Sequence, residues 1–575
     1  MTSCKLNNTS FLSLIMILVM VVGTSVTAMP PHQDMLARKL KNGEALPYFL
    51  EKRPDLLSAG INSAYKSRSA EKTSYSGPFN ALAILVRFSD KTNSVPAHEF
   101  DTLIFLNQQG SVRHYYREIS YDQFDIVTVN LPSSLGWQTA PQTYAYYCNN
   151  QNGTGSYPQN SQKLCEDLVD LIDPVVDFSH YDNDGDGYVD AVVIVHTGPG
   201  AEFTGADTDI WSHQWSILPR LKDGVRISDY CIQPEYWQSP GDITCGVYCH
   251  ELGHVLGLPD LYDRDYPTDS YGVGRWSLMS YGSWNGAGGM GGSPAHPDAW
   301  CRLRLGFATA VNLTSNIDNC PIDAVETSGE IYRLWSSGAP GGEYFLVENR
   351  QKTGYDSYLT AAGLFIWHID ETQLTNGNWN DNQWYPGYTS SGNFLVALEQ
   401  ADGDFDLEKA YPVGNSADNS DPYPGTSLNT DFGALTIPNS NAYSGDLTYV
   451  AVENISASGP SMTADLKVSI ASGLDDQNDL ILPRKPFLSQ NYPNPFNPST
   501  RIDFTLHREA AVVIDIFDIL GVHVKRLAEG QYPLGSYSVE WDGTAQDGRP
   551  VASGIYLYRL KTDEGEESRK MGLIK

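Results

Sequence analysis

Apolar and polar positions along the chain fall into blocks of distinct period. The first apolar run, 11–22, follows Lys5 and closes on the small residues Val26-Thr27-Ala28, which predicts a signal peptide over 1–28 with cleavage after Ala28. It is too short to span a bilayer comfortably, and no later stretch reaches the ~18–20 apolar residues a membrane helix requires. Residues 29–78 are polar, with Lys/Arg clusters and no periodicity, and read as a propeptide or linker. Strand-like apolar runs at 79–88, 124–129 and 190–196 alternate with helical character at 111–119 and near 246–256, the pattern of an α/β unit. Beyond about 311 the chain turns to Tyr, Thr, Gly and Asn with short apolar runs at 344–347, 364–367 and 394–398, predicting a β-rich region. A polar linker at 471–488 leads to strand-like runs at 501–506, 511–519, 536–541 and 555–560 separated by Gly/Asp turns, the spacing of a small β-sandwich. The predicted class is α+β: a catalytic-type unit at 79–315, a β-rich domain packed on it at 316–470, a linker at 471–488, and a C-terminal sandwich at 489–575.

Composition narrows the field of partners. A length of 575 residues suits several domains. A net charge of −31 argues against nucleic acid, which needs clustered Lys and Arg. Eight cysteines become seven once Cys4 leaves with the signal peptide, so at least one is unpaired. In an exported protein pairs are expected, and proximity suggests Cys148 with Cys165, Cys231 with Cys245, and Cys301 with Cys320. Cys249 is then left over, read as a small buried apolar residue.

The chemistry concentrates in His250-Glu251-Leu252-Gly253-His254-Val255-Leu256-Gly257-Leu258-Pro259-Asp260. On a helix, positions i and i+4 share a face, so His250 and His254 can address one metal, with Glu251 beside them as candidate base. Gly257 can take the left-handed conformation that ends a helix and turns the chain back, bringing Asp260 to the metal as third ligand, with Asp263 in reserve. Two histidines and a carboxylate leave zinc a fourth position for water. Downstream, Trp276-Ser277-Leu278-Met279-Ser280-Tyr281-Gly282 resembles the methionine turn beneath the metal of metzincin peptidases, with Met279 as floor and Tyr281 placed to bind metal or a tetrahedral intermediate.

Together these residues resemble the immune inhibitor A-like secreted zinc metallopeptidases, whose signature is H-E-x-x-H-x-x-G-x-x-D. The likeness runs through 81–90, 209–213 and 363–370 and covers roughly 79–468. It implies a metzincin-like catalytic domain, protein or peptide substrates, and hydrolysis by metal-activated water with Glu251 as general base and Tyr281 steadying the oxyanion. The C-terminal unit, opening on Asn491-Tyr492-Pro493-Asn494-Pro495-Phe496-Asn497-Pro498 and closing on 570–575, resembles the sorting domain of type IX secretion cargo. That resemblance implies an outer-membrane secretion machinery as partner and a secreted protein, released or retained at the bacterial surface.

Asp182, Asp184, Asp186 and Asp190 occupy positions 1, 3, 5 and 9 of a calcium-loop pattern, with the Tyr188 carbonyl at 7. Val193 stands at position 12, so another segment must complete the shell. Asp402-Gly403-Asp404-Phe405-Asp406 matches less well and reads as an acidic turn; His368 and Asp370 read as alternating strand positions. Two rival functions stay open: a calcium-stabilised adhesin on an inactive peptidase fold, and a zinc hydrolase acting on glycans or non-peptide amides.

Overall fold

A computed structural model describes residues 27–51, 75–263, 270–376, 394–409, 413–469 and 487–574, the last with short gaps at 489–490, 492–493, 495, 507–509, 534 and 564. The signal-peptide reading for 1–26 lies outside these residues.

The N-terminal half is built on a six-stranded sheet in the order Thr27–Ala28, His213–Lys222, Val225–Tyr236, Val192–Pro199, Leu82–Arg87, Gln138–Thr139. The last four are mutually parallel, and His213–Lys222 runs antiparallel to Val225–Tyr236. Leu82–Arg87 and Val192–Pro199 are buried almost throughout, as parallel strands with both faces covered must be. Their side chains alternate between two cores. Leu82, Ile84, Val86, Val192 and Ile194 pack with Leu164, Leu168 and Val169 of helix Ser161–Ile172. Ala83, Leu85, Val193 and Val195 pack with helices Val112–Ile119 and Cys245–Val255.

A five-stranded sheet follows in the order Val396–Leu398, Gly363–Asp370, Glu343–Arg350, Glu330–Leu334, Thr309–Asn312. Leu346, Phe365, Trp367 and Ile369 on one face join the core that holds helices Val112–Ile119 and Cys245–Val255. Phe345, Val347, Leu364 and Ile366 on the other pack against a three-stranded sheet, Ile317–Asp323, Ser461–Lys467 and Ala451–Glu453. Strand Thr309–Asn312 pairs with Glu330–Leu334, so it belongs to this second sheet although the 79–315 boundary gave it to the first unit. At the C terminus a three-stranded sheet (Phe487–Leu488, Thr500–Leu506, Gly535–Trp541) and a four-stranded one (His523–Tyr532, Ala510–Asp518, Gly554–Thr562, Gly565–Leu573) share one apolar cluster.

Three expectations need correction. Residues 33–42, read as aperiodic, form a helix with Met35 buried, ended by Gly43 at φ 65°. Thr27 and Ala28, assigned to the cleaved leader, pair with Gln214 and His213 and are buried; cleavage after Ala28 would strip that pairing. None of the seven described cysteines is bonded to another, and all are buried. They act as small core residues: the Cys148 thiol donates to the Asp207 carbonyl at 3.3 Å, while Cys165 sits on the inner face of its helix.

Candidate metal centre

The helix Cys245–Val255 is buried over Cys245 to His254, so His250, Glu251 and His254 are held inside the core rather than on a solvent face. Small residues let it approach its neighbours. A Cβ on Gly246 would lie 2.2 Å from the Ser283 carbonyl oxygen, and one on Gly253 would lie 2.6 Å from Met279 Sδ. Tyr116 donates its hydroxyl to the Cys249 carbonyl at 2.7 Å and Tyr248 to that of Pro234 at 2.9 Å, anchoring the helix to its helical and sheet neighbours.

At its C-terminal end Gly257 takes φ 90°. The amides of Gly257 and Leu258 donate to the carbonyls of His254 and Gly253 at 2.9 and 3.0 Å, closing the helix so that the chain folds back. The Leu261 amide then donates to the Met279 carbonyl at 2.8 Å, clamping the Asp260 loop onto the Trp276–Gly282 segment. By this route one donor atom from each of His250, His254 and Asp260 comes within 4.8 Å of the others. The two Nε2 atoms are 3.1 Å apart, and Asp260 Oδ1 lies 3.3 Å from His250 Nε2 and 3.1 Å from His254 Nε2. All three side chains are buried.

Tautomers follow from the partners. His250 Nδ1 is 2.9 Å from the Leu278 carbonyl and His254 Nδ1 is 2.8 Å from that of Leu258. A carbonyl only accepts, so each Nδ1 carries the proton and each Nε2 turns a lone pair toward the shared point. Burial holds His254 below the usual imidazole range against the pull of Asp260, favouring the neutral, ligating form. Two neutral imidazoles and a carboxylate with outer-layer carbonyl partners fit a divalent zinc-type metal.

Glu251 is buried within the same helix. Tyr281 is buried edge-on to Tyr262 and Tyr271, with ring centroids at 5.8 and 5.6 Å. Asp263 stands outside the donor group, its carboxylate accepting the Ser270 amide at 3.3 Å. Cys249 points into the core, where burial pushes its thiol well above the ordinary range. His368 is no ligand in the described structure: its two nitrogens each lie 3.1 Å from a carboxylate oxygen, of Glu343 and Glu399.

In the 182–190 loop, Asp182, Asp184 and Asp190 each bring an oxygen within 4.8 Å of the others, while Asp186 falls outside that group. Asp186 instead accepts the Tyr188 amide at 2.8 Å. The loop is tied to the core where Asn183 exchanges hydrogen bonds with the Asn80 backbone at 2.6 and 3.0 Å.

Sequence reasoning did not anticipate residues 27–32. The Ala28 amide lies 3.4 Å from Asp260 Oδ2, and the Tyr262 hydroxyl donates to the Ala28 carbonyl. Trp211 Nε1 donates to the Met29 carbonyl at 2.9 Å, Trp284 Nε1 to that of Pro30 at 3.0 Å, and His32 Nε2 lies 3.2 Å from the Gly289 carbonyl. The segment therefore crosses the metal centre and enters a cleft of about 250 Å³ lined by His32, Arg275, Tyr281, Trp284 and Gly289 among others. The partners, Asp260, Trp211 and Trp284, lie far from 27–32 in sequence, and no local pattern signalled this contact.

Comparison with known proteins places this geometry. Residues 80–308 match the family model described as immune inhibitor A peptidase M6, catalytic domain, and residues 494–566 match the FlgD Ig-like domain. The pre-pro-metalloprotease PrtV of Vibrio cholerae is 32% identical over 222 residues, which are 34% of this chain and 23% of that protein. Immune inhibitor A of Bacillus thuringiensis is 28% identical over 289 residues, 40% of each chain. The chain thus spans well under half the length of these relatives. Among solved structures, FlgD of P. aeruginosa is 25% identical over 13% of this chain and 58% of its own, at a TM-score of 0.12, too low to bear on the fold. Over residues 80–308 the chain is thus similar to the immune inhibitor A peptidase M6 catalytic domain, and of these two relatives PrtV is named a metalloprotease.

Proposed function

We propose that the protein is a secreted zinc endopeptidase in which His250, His254 and Asp260 hold the metal and Glu251 is the general base. The observation that carries this reading is the convergence of the three donors within 4.8 Å, with both imidazole tautomers already set for ligation. Zinc, when bound, supplies Lewis acidity that acidifies water and polarises a scissile carbonyl. Glu251, one residue from His250 on the same helix, takes a proton from the attacking water on its carboxylate and returns it to the departing amine. The Tyr281 phenol offers a donor to the oxyanion. Strand His213–Lys222 presents a sheet edge beside Asp260, and an extended peptide pairs there as Thr27–Ala28 does.

In this reading the described residues 27–51 belong to a prosegment, and the contacts of 27–32 keep substrate out until it is removed. The 182–190 loop binds calcium through Asp182, Asp184 and Asp190. The 489–575 unit is an export domain for the type IX route; deleting it should leave the folded protein in the cells and stop secretion, and continued secretion would end that assignment.

The central test is Glu251→Gln in the processed enzyme. Zinc content by atomic emission should stay at the wild-type level while casein cleavage falls by roughly 10²–10⁴-fold, the usual worth of a positioned acid–base group. Asp260→Ala should lower the zinc content itself. Near-normal turnover in Glu251→Gln, or full zinc in Asp260→Ala, would overturn the assignment of that residue.

A further inference from the structure

A second acidic group lies against the segment leading into the methionine turn, and one of its members, Asp402, belongs to the stretch read as an acidic turn. We propose that Asp402, Asp418 and Asp421 form a cation site, for calcium or a comparably hard divalent ion, that braces the segment leading into Met279.

One oxygen from each of the three carboxylates lies within 4.8 Å of the others. The group is more than a surface cluster because Asp421 is fully buried. Its Oδ2 accepts Trp276 Nε1 at 2.9 Å and the Asp418 amide at 3.0 Å, whereas its Oδ1 is buried with no hydrogen-bond partner. Among the described residues none of the three makes an ion pair with Lys or Arg. A buried carboxylate oxygen without donor or counter-ion is costly, and burial pushes Asp421 up to about 8. A cation among the three carboxylates relieves that cost and leaves all three ionised.

The donor set selects the ion. All candidate ligands are oxygens, with no imidazole or thiolate, which suits calcium and disfavours zinc. The remaining bonds preorganise the carboxylates: Asp418 Oδ1 accepts the Ser420 amide and hydroxyl at 2.7 and 2.6 Å, and Asp402 Oδ1 accepts the Asp404 amide at 2.9 Å.

The site also touches the floor of the metal centre. Arg275 donates its amide to the Ser416 carbonyl at 2.8 Å, and a Cβ on Gly274 would lie 2.1 Å from that same oxygen. Loop 414–421 is therefore seated on 274–276, immediately before Met279. An ion held by Asp421 fixes Trp276 through its indole bond.

Terbium, a luminescent stand-in for calcium, tests this independently of catalysis. The full chain is titrated in a Asp184→Asn background, which disables the 182–190 loop, with zinc present. Saturable terbium emission sensitised by tryptophan excitation and displaced by calcium is expected. It should be lost in Asp421→Asn and in Asp402→Asn, the latter on a half-buried residue whose replacement spares the core. Absence of sensitised emission in the parent, or unchanged emission in Asp402→Asn, would overturn the site. A folded Asp402→Asn variant, judged by circular dichroism, keeps the result decisive even if Asp421→Asn fails to fold.

Discussion

Gly253 lies between the two histidines and faces Met279, and its missing side chain is what lets the methionine rise against the helix. Replacing it with alanine sets two effects against each other. Alanine favours a helix over glycine by about 1 kcal/mol, but the added Cβ would meet Met279 Sδ at 2.6 Å in a fully buried setting. Overpacking of that kind costs about 1–3 kcal/mol, so Gly253→Ala should be net destabilising by about 1 kcal/mol, read as a lower urea midpoint. In a Met279→Ala background the clash disappears and the same substitution should become neutral or stabilising, the non-additivity expected of touching residues. Additive effects would mean that Met279 does not press on the helix. At this scale the sequence was informative wherever chemistry depends on local spacing: the i and i+4 histidines and Gly257 all lie where their spacing placed them. It was misleading for the cysteine pairs, since neighbours in sequence need not share a bond.

At the scale of elements, the two fully buried parallel strands were legible because burial on both faces leaves a continuous apolar run. The hairpin His213–Lys222 and Val225–Tyr236 was not read from the sequence. Pro219 lies where its register shifts, between Ser216 and Arg220, and breaks the alternation of the first strand. The available signal was Asp223-Gly224, whose φ values of 50° and 86° mark a two-residue turn with both centres left-handed. On strand Gly363–Asp370, alternation turned His368 inward between Glu343 and Glu399, stacked on Tyr443 at 4.0 Å. Burial pushes this imidazole down, but hydrogen bonds to the two carboxylates outweigh it and hold His368 above its ordinary value. The folded state therefore binds the proton more tightly than the unfolded chain. The resulting stability is present below about pH 6.5, the unfolded value, and is lost as pH rises through the folded one. His196 and His213 act in the opposite sense: burial takes them down to about 3 and about 4, so their contribution is lost on acidification below about pH 6.5. Urea midpoints measured across pH should fall on the alkaline side in the wild type, and His368→Gln should remove that fall while leaving the acid side unchanged. An alkaline slope that survives in His368→Gln would assign it to another group.

For the whole molecule, the decisive relation is between the first described residues and the centre of the catalytic unit, more than two hundred positions away in sequence. No local pattern encodes it, because the segment docks largely through its backbone: the carbonyls of Ala28, Met29 and Pro30 receive Tyr262, Trp211 and Trp284. Each such bond is worth about 0.5–1.5 kcal/mol net, and the buried Met29 side chain adds about 1.5–3 kcal/mol. Met29 is thus a buried contributor within 27–32 that plays no part in chemistry. Placing an unpaired carboxylate there costs several kcal/mol if it stays buried, comparable with what the contacts of 27–32 contribute, so Met29→Asp should loosen the hold of residues 27–32. The measurement is best made in a Glu251→Gln background, where self-processing cannot remove the segment, using a zinc-binding peptide hydroxamate as ligand. Met29→Asp should tighten its binding to the unprocessed chain by tenfold or more, since about 1.4 kcal/mol of lost competition is worth that factor. Leu40→Asp, on an exposed position of the neighbouring helix, should leave the affinity unchanged. Equal affinities for the parent and Met29→Asp would show that residues 27–32 do not compete with ligand, and the latency assigned to the segment would fall.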